Sequence, residues 1–163
     1  MKEQHIASAF DRDLEGIQAL IMKMGGMVET AISEAARSLE TRDEELAQQV
    51  RKGDRAIDEM EERVNEEAAR VIAIRSPMGS DLRTVLTVMK ISASLERCGD
   101  YAKNMAKRTS VLSQMEPVGG TTKSLRRMAQ EVEELLKMAL DAYLHRDAEL
   151  AENVRQRDLE IDQ

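Results

Sequence analysis

An internal repeat is the sequence feature that most constrains the fold of this chain. When the 163-residue sequence is shifted by 104 positions, RDEELAQQVRKGDRAIDE (residues 42–59) aligns with RDAELAENVRQRDLEIDQ (residues 146–163), and ten of eighteen positions are identical. Periodic burial would explain the matching Leu, Val and Ile residues, but it gives no reason for two aspartates to recur in place. The repeat therefore predicts a structural unit that occurs twice and includes these aspartates. The recurring pairs are Asp54 with Asp158 and Asp58 with Asp162.

Apolar residues at spacings of three and four predict an all-α fold. Aromatic residues make up only 2% of the chain, whereas Ala, Leu, Met, Glu, Lys and Arg are abundant, which is typical of long helices and helical bundles. Two segments that contain Pro and Gly, residues 75–81 and 115–122, interrupt the pattern, and Ser80 is a plausible N-cap after the first of them. The predicted helices cover residues 10–39, 46–71 and 82–114, with a fourth from Leu125 to Tyr143 and a fifth from Leu150 onward.

The repeat and the second break divide the chain into two units. Residues 1–116 are predicted to form a three-helix bundle, and residues 117–163 the first part of a second, repeated bundle. The second bundle is incomplete, because no segment corresponds to the third helix of the first unit. Either the chain lacks a C-terminal segment or another chain supplies the missing helix. We favour the first explanation, because two unpartnered amphipathic helices would expose a large apolar patch.

Composition excludes several classes of function. The net charge of -7 disfavours nucleic acid as a partner, because phosphate backbones are bound by clustered Lys and Arg. The first 25 residues lack the apolar core of a signal peptide and no stretch is long and apolar enough to span a membrane, which favours the cytoplasm. A single cysteine, Cys98, agrees with a reducing compartment. The two histidines, His5 and His145, are expected at the surface.

Two acidic pairs carry the candidate site. Asp54 and Asp58 lie four residues apart on the second predicted helix, and Glu96 and Asp100 lie four apart on the third, so each pair shares a helical face. Like charges at this spacing cost an isolated helix only about 0.2–0.5 kcal/mol per pair, so a solvated acidic face is the alternative. The second pair falls on or near an apolar stripe, which predicts core-like positions. A glycine directly precedes an aspartate in both helices, which predicts close approach of the two helices; these glycines are Gly53 and Gly99.

Converging carboxylates need a compensating cation, because burial of unpaired charge is unfavourable. Arg97 could form a structural salt bridge, but one guanidinium does not balance four or five carboxylates. An all-oxygen donor set suits hard cations such as Mg, Mn or Fe, and Zn is possible. The Glu-x-x-His pair of di-iron bundles is absent, and no phosphate loop or nucleophile arrangement is visible, so the pattern disfavours an enzyme.

Three segments of this chain resemble the PhoU family: MGGMVE (residues 24–29), SDLRTVL (residues 80–86) and LERCGDYAKN (residues 95–104). The resemblance implies two tandem three-helix bundles, each with a pair of acidic Asp/Glu-x-x-x-Asp motifs that bind metal clusters. The fourth motif of the family has no matching position here. The motifs that do match are Asp54 with Asp58 and Glu96 with Asp100 in the first bundle, and Asp158 with Asp162 in the second.

The resemblance also implies a function. Members of the family are not enzymes; they restrain phosphate uptake and phosphate-starvation signalling when phosphate is plentiful. They do so through the ATPase subunit of the phosphate ABC transporter and a sensor histidine kinase, as cytoplasmic homodimers whose membrane association is peripheral rather than integral. The alternative function for this chain is a structural helical-bundle interaction protein with solvated acidic faces and no metal.

Overall fold

The computed structural model describes residues 2–116 and 119–161, with side chains from Ser8 onward. Within these ranges the chain forms helices and no strands, which confirms the all-α prediction. None of the described helices combines the length and the apolar character that a membrane crossing needs. The helices are α1 (Lys2–Thr41), α2 (Glu44–Arg75), α3 (Ser80–Leu112), α4 (Thr121–His145) and α5 (Ala148–Ile161).

The first three helices pack against one another around a shared apolar core. The stripes predicted for α1 and α2 face this core, and most of the residues along them are buried. Removing such side chains from water is the main stabilising contribution to a bundle of this kind. The most deeply buried members of the core include Ile17, Ile21, Met24 and Val28 of α1, Val64, Ala68 and Val71 of α2, and Val85, Val88 and Ala106 of α3.

The buried stripe of α3 differs from the prediction by about one residue. Leu95 and Gly99 are buried, whereas Glu96 and Asp100 lie beside the stripe and are only partly covered. The core-like placement of the two acids was therefore wrong. The stripe of α3 runs through small and polar residues, which hydropathy does not reveal; they include Ser92, Gly99 and Thr109. Burial of such residues is possible because their polar groups find partners, as where the hydroxyls of Ser38 and Thr109 lie 2.9 Å apart.

The two repeat copies begin with the same turn. Arg42 and Arg146 both adopt left-handed backbone conformations, with φ of 56° and 53°. The next residue in each copy accepts a hydrogen bond from the backbone N–H three positions on, at 2.9 Å, so Asp43 caps α2 and Asp147 caps α5. The identical Arg-Asp dipeptides thus end one helix and start the next without Gly or Pro.

The start of α3 corrects one predicted cap. Ser80 is the first helical residue rather than the N-cap, and Gly79 precedes it with a φ of 58°. A positive φ of this size favours glycine, which has no Cβ to clash with the backbone. Gly79 therefore provides the turn, and no side chain caps this helix.

The fourth helix packs along α1, and α5 contacts only α4 among the described helices. Leu140 of α4 lies so close to Gly25 that a Cβ at this position of α1 would clash with it. Arg126 pairs with Glu40 at the other end of the contact. No residue of α5 is buried. The chain thus forms a complete three-helix bundle followed by two helices of a second unit, while the unit boundaries at residues 116 and 117 stay a prediction.

Candidate metal centre

The packing of α2 on α3 brings the two acidic pairs together at Gly99. A Cβ on Gly99 would lie 3.1 Å from Ile57 Cδ1 and 3.8 Å from Asp54 Oδ1, so the glycine lets α2 approach closely. The expected role of this glycine is confirmed. The same expectation was wrong for Gly53, which faces open space.

Lys103 of α3 is the cation of this site. Its ammonium donates a hydrogen bond to Asp54 Oδ2 of α2 and lies 3.2 Å from Asp100 Oδ1 of its own helix. The hydrogen bond to Asp54 and, less strongly, the one to Asp100 raise the pKa of Lys103, and partial burial opposes them. The ammonium therefore links the acidic motifs of the two helices.

Sequence reasoning missed this lysine and named Arg97 as the possible counterion. Arg97 is exposed, and its Nε donates to the Tyr101 hydroxyl at 3.2 Å, with the guanidinium 5.9 Å from the ring centroid. The signal for Lys103 was present in the sequence, because a residue three positions after Asp100 shares its helical face. The salt bridge considered as the alternative to a metal does exist, but its cation is Lys103 rather than Arg97.

Asp54 is the most buried acid of the site. Only 5% of its side chain is exposed, and its Oδ1 atom has no hydrogen-bond partner among the residues that the structure describes. A buried carboxylate oxygen normally has a partner, because leaving it unsatisfied costs roughly 1–3 kcal/mol. Asp54 therefore retains capacity for a further donor or a cation.

The remaining acids of the site repel one another. Burial raises the pKa of Asp58, and the nearby Asp54 carboxylate raises it further. The pKa of Glu96 is also raised, first by burial and then by the negative charges of Glu61 and Asp58. Glu61 shows the same shift, from burial and from Asp58. Carboxylates from both helices thus share one electrostatic environment, in which a bound cation would be favourable.

The arrangement supplies carboxylates but not a finished coordination shell. In the described ranges, no group of three or more Asp, Glu, His or Cys side chains converges closely enough to hold a metal ion. The ammonium of Lys103 instead lies between Asp54 and Asp100. The donor chemistry and the free Oδ1 atom of Asp54 fit a hard cation.

Asp158, from the acidic motif of the second repeat copy, lies apart from this site. Asp158 is exposed on α5, which contacts neither α2 nor α3. Asp162 lies outside the described residues. The structure thus brings four of the six predicted ligands together and leaves Asp158 apart from them.

Comparison with known proteins identifies the family. The family model of the PhoU domain matches residues 21–109 and 125–163 of the chain. The chain belongs to the PhoU family. Two solved PhoU structures share its fold. PhoU from Pseudomonas aeruginosa superposes with a TM-score of 0.88 and is 36% identical in sequence, and the match covers 94% of this chain and 73% of the Pseudomonas chain. The phosphate transport system regulatory protein PhoU from Streptococcus pneumoniae superposes with a TM-score of 0.87 and is 28% identical, and the match covers 94% of this chain and 72% of the Streptococcus chain.

Curated PhoU homologues match nearly the whole chain. A Caulobacter vibrioides protein is 38% identical over 160 residues, which are 98% of this chain and 70% of that protein. A Zymomonas mobilis protein is 41% identical over 158 residues, which are 97% of this chain and 66% of that protein. Both are phosphate-specific transport system accessory proteins. The chain thus spans about two thirds of the length of these relatives.

Proposed function

We propose that this protein regulates phosphate transport as a cytoplasmic adaptor, and that it restrains phosphate uptake and phosphate-starvation signalling without catalysing a reaction. The observation that carries the proposal is the 38% identity to a phosphate-specific transport system accessory protein over 98% of this chain. Rigid helical bundles with charged faces suit an adaptor, because such faces select partners by charge complementarity.

The proposed partners are the ATPase subunit of a phosphate ABC transporter and a sensor histidine kinase. The protein itself would be a homodimer that associates peripherally with the membrane. Exposed apolar side chains on α4 support a protein-contacting surface. Met128 is 52% exposed, and Val132, one turn further along α4, is 37% exposed. Exposed apolar groups on neighbouring turns favour protein contacts over solvent.

Cell-based complementation tests the regulatory role. The chain is expressed in a bacterium whose own PhoU-family gene has been deleted, and a phosphate-starvation reporter and the rate of phosphate uptake are measured in phosphate-rich medium. We expect both to fall towards the levels of the undeleted strain. If both stay high while the protein accumulates and remains folded, the regulatory proposal is wrong.

We further propose that a divalent or ferric ion (Fe, Mg, Mn or Zn) binds between α2 and α3. The ligands would come from Asp54, Asp58, Glu96 and Asp100, and Asp158 and Asp162 would belong to a second site. The mutual repulsion of the carboxylates and the free Oδ1 atom of Asp54 support this proposal. An ion would supply positive charge that cross-links the two helices.

Metal content tests this assignment. The protein is purified without chelator and compared with a variant carrying Asp58→Asn and Asp100→Asn, with metal measured by plasma mass spectrometry and Mn²⁺ binding by calorimetry. The matched control carries Asp11→Asn and Glu15→Gln, two exposed acids four residues apart on α1. We expect the first variant to lose metal and the control to retain it. Equal metal in all three proteins would contradict the assignment.

The second candidate is a metal-free bundle whose carboxylates are neutralised by lysine. The bridge from Lys103 to Asp54 and Asp100 favours it. In this case the wild-type protein binds no Mn²⁺, whereas Lys103→Gln reduces its stability. Loss of stability in Lys103→Gln together with Mn²⁺ binding by the wild type would instead support the metal site.

A further inference from the structure

A groove of about 510 Å³ runs between α2 and α3 next to the carboxylate cluster. Its lining residues are Gln48, Arg51, Lys52, Lys103 and Lys107. Four of the five are cations, the fifth is an amide, and none is acidic. This concentration of positive charge is unexpected in a chain with 31 acidic and 24 basic residues. We call this surface the basic groove.

Three of the four cations of the basic groove are not neutralised by the protein. Arg51, Lys52 and Lys107 form no ion pair with any residue in the described part of the chain. The Lys107 ammonium donates only to Asn104 Oδ1, at 3.3 Å. A carboxylate three or four residues away on the same helix can pair with a surface cation, but the positions at these distances from Lys52 and Lys107 carry none.

The repeat shows that this charge pattern belongs to the first copy alone. In the second copy, Arg155 corresponds to Arg51 and pairs with Glu152 at 2.9 Å. The position that matches Glu152 in the first copy is Gln48, so Arg51 has no such partner. Gln156 likewise stands where the first copy has Lys52. The basic groove is therefore not a consequence of the repeated helix pattern.

One cation of the basic groove is held in place before any ligand binds. The Lys103 ammonium is fixed by Asp54 and Asp100, and its side chain is 26% exposed. An ammonium has three N–H donors, so two aspartates leave one donor for a ligand. A fixed donor loses less conformational freedom on binding than a free lysine does.

We propose that the basic groove binds a phosphate-type oxyanion. Arg51 provides a planar fork that suits two oxygens of a tetrahedral anion, and the lysines provide point charges around it. Gln48 is the one lining residue with a neutral side-chain acceptor, and its carbonyl oxygen can accept a hydrogen bond from the O–H group of monohydrogen phosphate. Sulfate has no such proton at neutral pH. The geometry carries the anion site, and only the choice of phosphate as its ligand rests on the proposed regulatory role.

Calorimetric titration of the purified 163-residue chain with inorganic phosphate tests the proposal, with sulfate as the competing dianion. We expect saturable 1:1 binding of phosphate and at least tenfold weaker binding of sulfate. A variant with Arg51→Gln and Lys107→Gln should lose at least tenfold in affinity for phosphate. The matched control carries Arg55→Gln and Arg63→Gln, which removes the same charge from exposed positions of α2 outside the groove. The control should bind phosphate like the wild type.

Several results would overturn the proposal. The absence of saturable phosphate binding would do so. Equal losses of phosphate affinity in the groove variant and the control variant would also do so, because the effect would then come from net charge alone. Circular dichroism shows whether both variants are folded, and amide shifts in NMR spectra should change first around the groove residues. Glycerol 3-phosphate and vesicles containing phosphatidic acid separate the sources of the phosphate group. Binding of the vesicles without binding of either soluble phosphate would overturn a small-molecule site.

The titration is independent of the cell-based reporter. A protein that binds phosphate in the groove but fails to lower the reporter would refute the regulatory role and retain the anion site. The reverse result would retain the regulatory role and refute the anion site.

Discussion

The two copies of the repeat have the same local structure and very different environments. In the first copy, Leu46 and Val50 are each 6% exposed and Ile57 is 3% exposed, whereas no residue of α5 is buried. Both copies start with the same left-handed arginine and the same aspartate cap. The difference lies in the neighbours, because α2 packs against both α1 and α3, whereas α4 is the one helix that contacts α5 in the described ranges. The sequence of a helix thus sets its start and its apolar face, and the neighbouring helices set how much of that face is buried.

The repeated aspartates show the same contrast. Asp54 is buried and hydrogen-bonded to Lys103, whereas the corresponding Asp158 is exposed. Lys103 and Gly99, which define the environment of Asp54, both lie on α3. An acidic motif on one helix therefore becomes a site only when a second helix supplies a counter-charge and room for close approach.

The largest effect is expected from matched truncations of the apolar stripe. Leu46→Ala should lower the free energy of unfolding by about 2–5 kcal/mol, because it leaves a cavity in a packed core. Leu150→Ala should lower it by less than about 1.5 kcal/mol, because this side chain is only partly covered. Urea unfolding followed by circular dichroism measures both values. Equal losses would mean that α5 is as well packed in solution as α2.

A smaller difference is expected for the aspartates. Asp54→Asn should destabilise the chain by about 1–3 kcal/mol, because the buried pair with Lys103 loses its negative charge. Asp158→Asn should change stability by no more than about 0.5 kcal/mol, because this residue is exposed. Chemical unfolding of each variant at pH 7 checks the pair. If Asp54→Asn were stabilising, repulsion among the carboxylates would outweigh the bridge to Lys103.

The smallest effect is expected in the pH dependence. Burial and neighbouring acids raise the pKa of Glu96 above its ordinary 4.5, so the folded state binds more protons than the unfolded state above that pH. This contribution makes the free energy of unfolding fall as pH rises through the interval up to the raised pKa. Glu96→Gln should therefore flatten the fall in stability above pH 4.5.

A glutamate in the second copy should have the opposite effect on the pH dependence of stability. Glu152 has a lowered pKa, because Gln156 and Arg155 stabilise the carboxylate, so any stability it contributes is lost as pH falls. Denaturant unfolding at several pH values compares Glu96→Gln with Glu152→Gln. A steeper fall in stability for Glu96→Gln than for the wild type would show that Glu96 is not in a repulsive environment.

The fold was largely predictable because helix periodicity and turn residues are local. The apolar stripes of α1 and α2 coincide with the buried residues, since bulky aliphatic side chains mark the inward face. The stripe of α3 was misplaced, since Ser92 and Gly99 carry no hydrophobic signal although both are buried. For the same reason, two glycines in similar sequence contexts were given the same role, whereas Gly99 contacts Ile57 and Gly53 faces open space.

The sequence by itself determined the helices, the repeated turn and the acidic residues that recur with it, because these depend on neighbours within one or two helical turns. Only the tertiary structure decided that Lys103 is the cation between Asp54 and Asp100 and that the unneutralised cations of α2 and α3 line one groove. Both features join residues about 50 positions apart in the chain, and their geometry depends on the rotation of α3 about its axis. That rotation depends on which small residues of α3 fit against α2. Residue spacing alone does not encode this fit, because it is a property of how the two helices pack.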